Sequence, residues 1–228
     1  MQQADILASS AGDITITPVH HASLVLGFDG LTVYLDPVGS PDRYADLPRP
    51  DLVLLTHEHG DHLSPETLTA LVGPQTRLIG ARVAIEKLDG ALADKAEIMS
   101  HGETVDIDGL GITAVPAENI SPEKLKYHPP GVGNGYLLRF GGKTIYVSGD
   151  TEDTAEMRAL TDIAVAFLPM NQPYTMTGQQ AADAVRAFRP QVVYPFHYLG
   201  GAENEVFATE LLGEPGIEVR QRDWYVED

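Results

Sequence analysis

The stretch Thr56-His57-Glu58-His59-Gly60-Asp61-His62 gathers three of the chain's eight histidines directly after Leu52 to Leu55, an apolar run that reads as a strand. Residues two apart in extended backbone project to the same side, so His57 and His59 can reach one ion. Gly60 is expected to permit a turn that aims Asp61 and His62 elsewhere, toward a second ion. Imidazole and carboxylate ligands at about 2.0–2.2 Å suit zinc, with manganese or iron as alternatives. The sequence has no cysteine, which excludes thiolate sites, iron–sulfur clusters, disulfides and thiol nucleophiles. Any metal must therefore be held by His, Asp and Glu. Metals so held lower the pKa of bound water toward about 7 and polarise a carbonyl or phosphoryl oxygen, which is hydrolytic chemistry.

The elements that must position these residues read as two similar halves. Phe28-Asp-Gly-Leu-Thr-Val-Tyr-Leu35 and Phe140-Gly-Gly-Lys-Thr-Ile-Tyr-Val147 are both hairpins, with Asp-Gly or Gly-Gly supplying the turn. Arg49-Pro-Asp-Leu-Val-Leu-Leu-Thr-His57 and Arg189-Pro-Gln-Val-Val-Tyr-Pro-Phe-His197 are both apolar strands ending in His. Ligand sites in open α/β sheets gather beyond the carboxyl ends of strands, so His57 and His197 are expected to face one site, unless the likeness is only one of strand composition. Helices are expected over Ser64 to Val72, with Ser64 as N-cap and Pro65 at the first position, and over Thr177 to Phe188, opening on the capping box Thr177-x-x-Gln180. Arg82 to Leu88, Glu152 to Leu160 and Glu203 to Leu212 are shorter candidates. Glu103 to Val115 reads as a hairpin turning at Gly109 to Gly111, and Asp162 to Leu168 as a buried strand. Asn119 to Asn134 is rich in Pro and Gly with no apolar period, and is either a flap over the site or a solvated connector.

With 228 residues, 43% hydrophobic and 21% charged, the chain reads as a single domain, 1–228, with a core of ordinary size. Fifteen Lys and Arg against 33 Asp and Glu leave a net charge of −18, which repels nucleic-acid phosphates and anionic membranes. No basic run offsets it, so the expected partner is a small molecule, with neither nucleic acid nor membrane. Met1 to Asp13 is polar, without the basic start and apolar run of a signal peptide, and a cytoplasmic location is expected.

Taken together, the motifs resemble the metallo-β-lactamase superfamily, whose His-x-His-x-Asp-His signature is matched by His57, His59, Asp61 and His62. His21-Ala-Ser-Leu, Leu35-Asp36-Pro37, Ser148-Gly-Asp150-Thr, Leu168-Pro169, Tyr174-Thr-Met176 and Pro195-Phe-His197-Tyr follow in the order of the branch containing ascorbate phosphate lactonases and related zinc hydrolases. The resemblance covers about residues 14 to 200. It implies an α/β fold, a four-layer αββα sandwich of two similar halves, and a metal-dependent hydrolase of a small ester, lactone or phosphoester. It further implies that Asp150 bridges two metals and that His197 completes the second site. Of the adjacent His20 and His21, it favours His21 as facing the site.

The family usually places another His after the strand matching Ile112 to Val115, where this chain has Pro116-Ala-Glu118-Asn119. Glu118, Asn119 or His128 is left as the third ligand of the first metal, and one ion or two stays open. Asp61 is expected to orient the hydroxide and pass its proton to the leaving group, with His21, Asn119 or His128 at the developing oxyanion. His128 and Tyr174 are expected to contact substrate, while His101 reads as a surface residue. A non-catalytic metal-binding scaffold and a phospholipase D-like phosphodiesterase are the competing readings. A redox di-iron member would normally carry a carboxylate where this chain has His59. The resemblance leaves a homo-oligomer open.

Overall fold

Strand order follows chain order twice. In a computed structural model that describes residues 4–225, these residues divide into two compact units, one comprising 4–100, 140–142 and 223–225, the other 101–139 and 143–222. Met1 to Gln3 and residues 226–228 lie outside the described residues.

The first sheet runs β1 (Asp5–Leu7), β2 (Ile14–His20), β3 (Ser23–Phe28), β4 (Leu31–Leu35), β5 (Leu52–Leu55), β6 (Arg77–Gly80) and β7 (Ala96–Ile98). Neighbours are antiparallel up to β4 and parallel beyond it. The second sheet runs β8 (Thr104–Ile107), β9 (Leu110–Ala117), β10 (Gly133–Phe140), β11 (Lys143–Val147), β12 (Ile163–Pro169), β13 (Val192–Phe196) and β14 (Glu218–Val219). Its first three strands are antiparallel neighbours and its last four are parallel.

The expected hairpin repeat holds. The β3–β4 and β10–β11 pairs are each third and fourth in their sheets, turning at Asp29-Gly30 (φ 49° and 84°) and Gly141-Gly142 (φ 47° and 78°). The two Arg-Pro…His segments are both buried parallel strands followed by His, as expected, but they do not occupy equivalent places. His57 follows the fifth strand of its sheet, β5, whereas His197 follows the sixth strand of the other, β13. The position equivalent to β5 belongs to β12, so the two segments are not counterparts in the repeat, although each is a parallel strand with a His beyond its carboxyl end.

The first unit carries α1 (Pro65–Leu71), α2 (Arg82–Ile85) and α3 (Gly90–Ala93), and the second α4 (Ala155–Arg158), α5 (Gly178–Phe188) and α6 (Ala202–Glu210). Ser64 caps α1 by accepting from Thr67 N–H, and the Thr177–Gln180 capping box opens α5 as its sequence requires. The helix expected from Glu152 begins only after Thr154, which caps α4, because Glu152 is committed elsewhere. In the first unit α1 packs Leu68 and Leu71 against Val53, Leu55 and Leu78 of the sheet. In the second, Ala181, Val185 and Phe188 of α5 join Ala166, Leu168 and Val193. Each large aliphatic or aromatic side chain so buried contributes about 1.5–3 kcal/mol. Among the described residues, no helix is long and apolar enough to cross a membrane.

Candidate metal centre

Within the first unit the histidine loop leaves the carboxyl end of β5 and is fixed by Asp36, which leaves β4 in a left-handed conformation with φ 41°. Thr56 N–H donates to Asp36 Oδ1 at 2.8 Å, and Thr56 Oγ1 donates to Asp36 Oδ2 at 2.5 Å. His62 Nδ1 lies 2.7 Å from Asp36 Oδ2. A carboxylate only accepts, so Nδ1 of His62 carries the proton and Nε2 presents its lone pair. The same logic reaches His57. Thr56 has spent its hydroxyl proton on Asp36, so the 2.9 Å contact between Thr56 Oγ1 and His57 Nδ1 is a donation from the ring, and Nε2 of His57 is again the lone-pair nitrogen.

His57 Nε2 lies 3.0 Å from His59 Nδ1, close to the roughly 3.3 Å that separates two nitrogen ligands on a tetrahedral ion. A buried carboxylate behind the ring of a ligand histidine is the support that metal sites use to hold imidazoles. The donor set of this unit therefore fits a metal of the zinc type. Gly60 lies in the expected turn without a left-handed φ, and open space surrounds its Cβ position. The turn is closed by the His59 carbonyl, which accepts from His62 N–H at 2.9 Å and Leu63 N–H at 2.8 Å.

His20 and His21 do not alternate along a strand. His20 ends β2, and His21 sits in the turn beyond it at φ 57°, where its N–H donates to Trp224 O at 2.9 Å. His21 Nε2 meets Asp61 Oδ2 at 3.1 Å, and Tyr225 Oη meets His21 Nδ1 at 3.0 Å. Asp61 is half exposed.

Within the second unit, Asp150 follows β11 through Gly149 (φ 64°), and His197 follows β13 at φ 46°. Asp150 Oδ2 lies 3.2 Å from His128 Nε2 and 3.3 Å from His197 Nε2. His128 Nδ1 is 3.2 Å from both the Tyr174 carbonyl and Asn119 Nδ2. A buried carboxylate within reach of two buried imidazoles is a donor set that fits a cation. His128 is buried, and the segment from Asn119 is not solvated throughout, since Asn119, Lys124 and Asn134 are buried with it.

Asn119 explains part of that order. Its Nδ2 donates to Tyr174 O at 2.7 Å and Lys124 O at 3.0 Å, which fixes the amide orientation and leaves Oδ1 buried with no hydrogen-bond partner among the described residues. Asn119 thus offers the site an acceptor, whereas an oxyanion needs a donor. That geometry removes it from the expected oxyanion role. Glu118 turns away from the cluster, accepting from Gly131 N–H through Oε2 at 2.9 Å. Of the three residues considered for the third ligand, His128 alone joins Asp150 and His197.

Sequence reasoning missed the anchor of this loop. Glu152 is fully buried and accepts from the backbone N–H of Ser121 at 2.7 Å and of Ile120 at 2.9 Å, from Ser121 Oγ at 2.9 Å, and from Lys124 Nζ at 3.0 Å. Burial pushes its pKa up, but these donors together outweigh burial and hold the carboxyl down at about 2. Lys124 is itself buried and also donates to Thr175 O at 2.7 Å, so it is not a free cation for a phosphate. The Tyr174 ring is exposed and packs edge-on against Tyr127 at 4.9 Å, while its carbonyl does the holding. His101 is half-buried rather than on the surface, donating through Nε2 to Gly133 O at 2.7 Å.

The sequence matches the family described as Beta-lactamase superfamily domain over residues 15–197. A UPF0173 metal-dependent hydrolase of Methanopyrus kandleri is 33% identical over 192 residues, 80% of this chain and 83% of its own. A crystal structure from Parabacteroides distasonis, of a protein assigned to the metal-dependent hydrolases, is 40% identical with a TM-score of 0.90, covering 99% of this chain and 100% of that one. YhfI of Bacillus subtilis, a metallo-β-lactamase fold protein, is 13% identical with a TM-score of 0.70 over 91% of this chain and 90% of its own, a likeness of fold alone. The α/β architecture of two similar halves is accordingly the metallo-β-lactamase fold, and the chain belongs to the β-lactamase superfamily as a metal-dependent hydrolase.

Proposed function

We propose that the enzyme hydrolyses a small ester, lactone or phosphoester with zinc as its metal. The observation that carries this reading is the Asp36–Thr56 network, which orients both His57 and His62 with Nε2 lone pairs outward. In this reading the metal ligands are His57, His59, Asp61 and His62 from the first unit, and Asp150, His197 and His128 from the second. His128 joins Asp150 and His197 as the third donor of the second unit's cluster. Zinc, or manganese or iron in its place, supplies Lewis acidity and acidifies bound water.

The chain's own residues handle the proton. Asp61 is tied through Oδ2 to the Nε2–H of His21, and its other oxygen takes the proton of the attacking water and delivers it to the leaving group. Tyr174, with its exposed ring, contacts the substrate. The net charge of −18 disfavours nucleic acid and an anionic membrane surface as partners.

The test combines metal content per chain with turnover of p-nitrophenyl acetate, a lactone panel and bis(p-nitrophenyl) phosphate. Wild-type protein is expected to carry one or two equivalents and to turn over at least one class, and Asp61→Ala to bind metal more weakly and, once reloaded with metal, still to lose at least about 100-fold in kcat per bound metal. Metal-replete wild-type protein that leaves every substrate intact would instead favour a non-catalytic metal-binding scaffold.

A further inference from the structure

We propose that Tyr225 is a positioning residue that sets the ring tautomer of His21 and thereby the orientation of Asp61. Its kinetic consequence rests on the hydrolase reading above, whereas its structural consequence does not.

Residue 21 is pinned twice by the same short segment. Trp224, a fully buried side chain, presents its carbonyl to His21 N–H at 2.9 Å and so supports a left-handed backbone at a residue with a Cβ. Tyr225 then places its hydroxyl 3.0 Å from His21 Nδ1, with the phenol ring edge-on to both His20 and His21 at 6.0 and 5.6 Å.

The proton inventory along this line has one consistent solution for a neutral imidazole. Asp61 Oδ2, as a carboxylate oxygen, accepts, so His21 Nε2 carries the hydrogen across the 3.1 Å contact. Nδ1 is then the acceptor, and the Tyr225 hydroxyl is the donor that fills it. Without that donor the Nδ1–H tautomer loses its handicap. In that tautomer a lone pair on Nε2 faces Asp61, and the carboxylate is pushed from its position. Tyr225 therefore acts on Asp61 through His21, from a point 204 residues along the chain from His21.

The experiment compares wild-type protein with Tyr225→Phe, which keeps the ring contacts and removes only the hydroxyl. Long-range ¹H–¹⁵N correlation spectra of the histidine rings, with His21→Gln to assign the resonance, read the tautomer directly. The expected result is a single Nε2–H form in the wild type and a mixture of tautomers in Tyr225→Phe. On whichever of p-nitrophenyl acetate or bis(p-nitrophenyl) phosphate the wild type turns over, kcat falls about 10- to 100-fold with KM within about twofold and metal content unchanged. A His21 ring that stays wholly Nε2–H in Tyr225→Phe overturns the inference. So does a variant that loses thermal stability while its tautomer and kcat per bound metal stay at wild-type values. If the wild type hydrolyses neither compound the hydrolase reading fails, and the ring spectra alone decide the role of Tyr225.

Discussion

Asp36 Oδ2 lies 2.7 Å from His62 Nδ1, and both side chains are buried. That single carboxylate also takes both the hydroxyl and the backbone N–H of Thr56, so it sets the protonation of two histidines at once. Asp36→Asn keeps the shape but confronts one of these donors with an amide N–H. Metal affinity is expected to fall about 10- to 100-fold, measured by competition with a chromophoric chelator. Affinity within twofold of wild type would mean that the rings are held by something other than this network.

His128 and His197 stand at nearly equal distances from Asp150, 3.2 and 3.3 Å. His128→Ala and His197→Ala are therefore expected to reduce bound metal to a similar degree, as mass spectrometry of the purified variants would register. A His128→Ala protein with full metal content and a raised KM would return His128 to a substrate-contacting role.

Asn119 is held by donation to two carbonyls, which makes Asn119→Asp a sharp test because an aspartate cannot donate to either. Two lost hydrogen bonds at about 0.5–1.5 kcal/mol each, with acceptor set against acceptor, predict a loss of about 2–3 kcal/mol. Calorimetry should show a fall in Tm of roughly 4–12 °C for a chain of this size.

Removing Glu152 leaves Lys124 buried without its partner. Glu152→Gln should cost about 3–5 kcal/mol, and hydrogen exchange should speed up at Ile120 and Ser121, whose N–H groups it holds. Exchange rates matching wild type at both amides would show that the loop is ordered by other contacts.

Stability at high pH should depend on Tyr44, which burial pushes up from 10.0 to about 12 while its hydroxyl donates to Val38 O at 2.8 Å. The folded state holds the proton more tightly than the unfolded one, so this contribution is complete below pH 10 and is lost as pH rises from 10 through about 12. Tyr44→Phe is expected to lower stability at neutral pH by about 1 kcal/mol and to flatten the decline across that window, which urea unfolding at stepped pH would measure.

Much of the site was legible because its signals are local. The spacing of His57, His59, Asp61 and His62, the Thr177–Gln180 capping box and the two hairpin turns each lie within a few residues, where backbone geometry decides the outcome. The Arg49 and Arg189 segments were legible as strands ending in His but not as to position, because local composition reports burial on both faces of a strand but not its place in the sheet. Asp36, Tyr225 and the Glu152–Lys124 pair were out of reach. Each acts across 26, 204 or 28 positions, and nothing in a lone Asp, Tyr, Glu or Lys distinguishes a buried support from a solvated side chain. His128 could be named only as one of three candidate ligands, since its burial depends on Asn119 and Glu152 fastening the loop that carries it.

The return of residues 223–225 to the unit that begins the fold has a consequence for biosynthesis. Strand neighbours in each sheet are neighbours in the chain, so most of each unit can form as it leaves the ribosome. The support of His21 cannot. Trp224 and Tyr225 are translated after all of the second unit, and at about 5–20 residues per second they follow the histidine loop by on the order of ten seconds or more. The nascent protein therefore displays its metal-ligand motif well before the residues that support His21, which appear only after the second unit has been made.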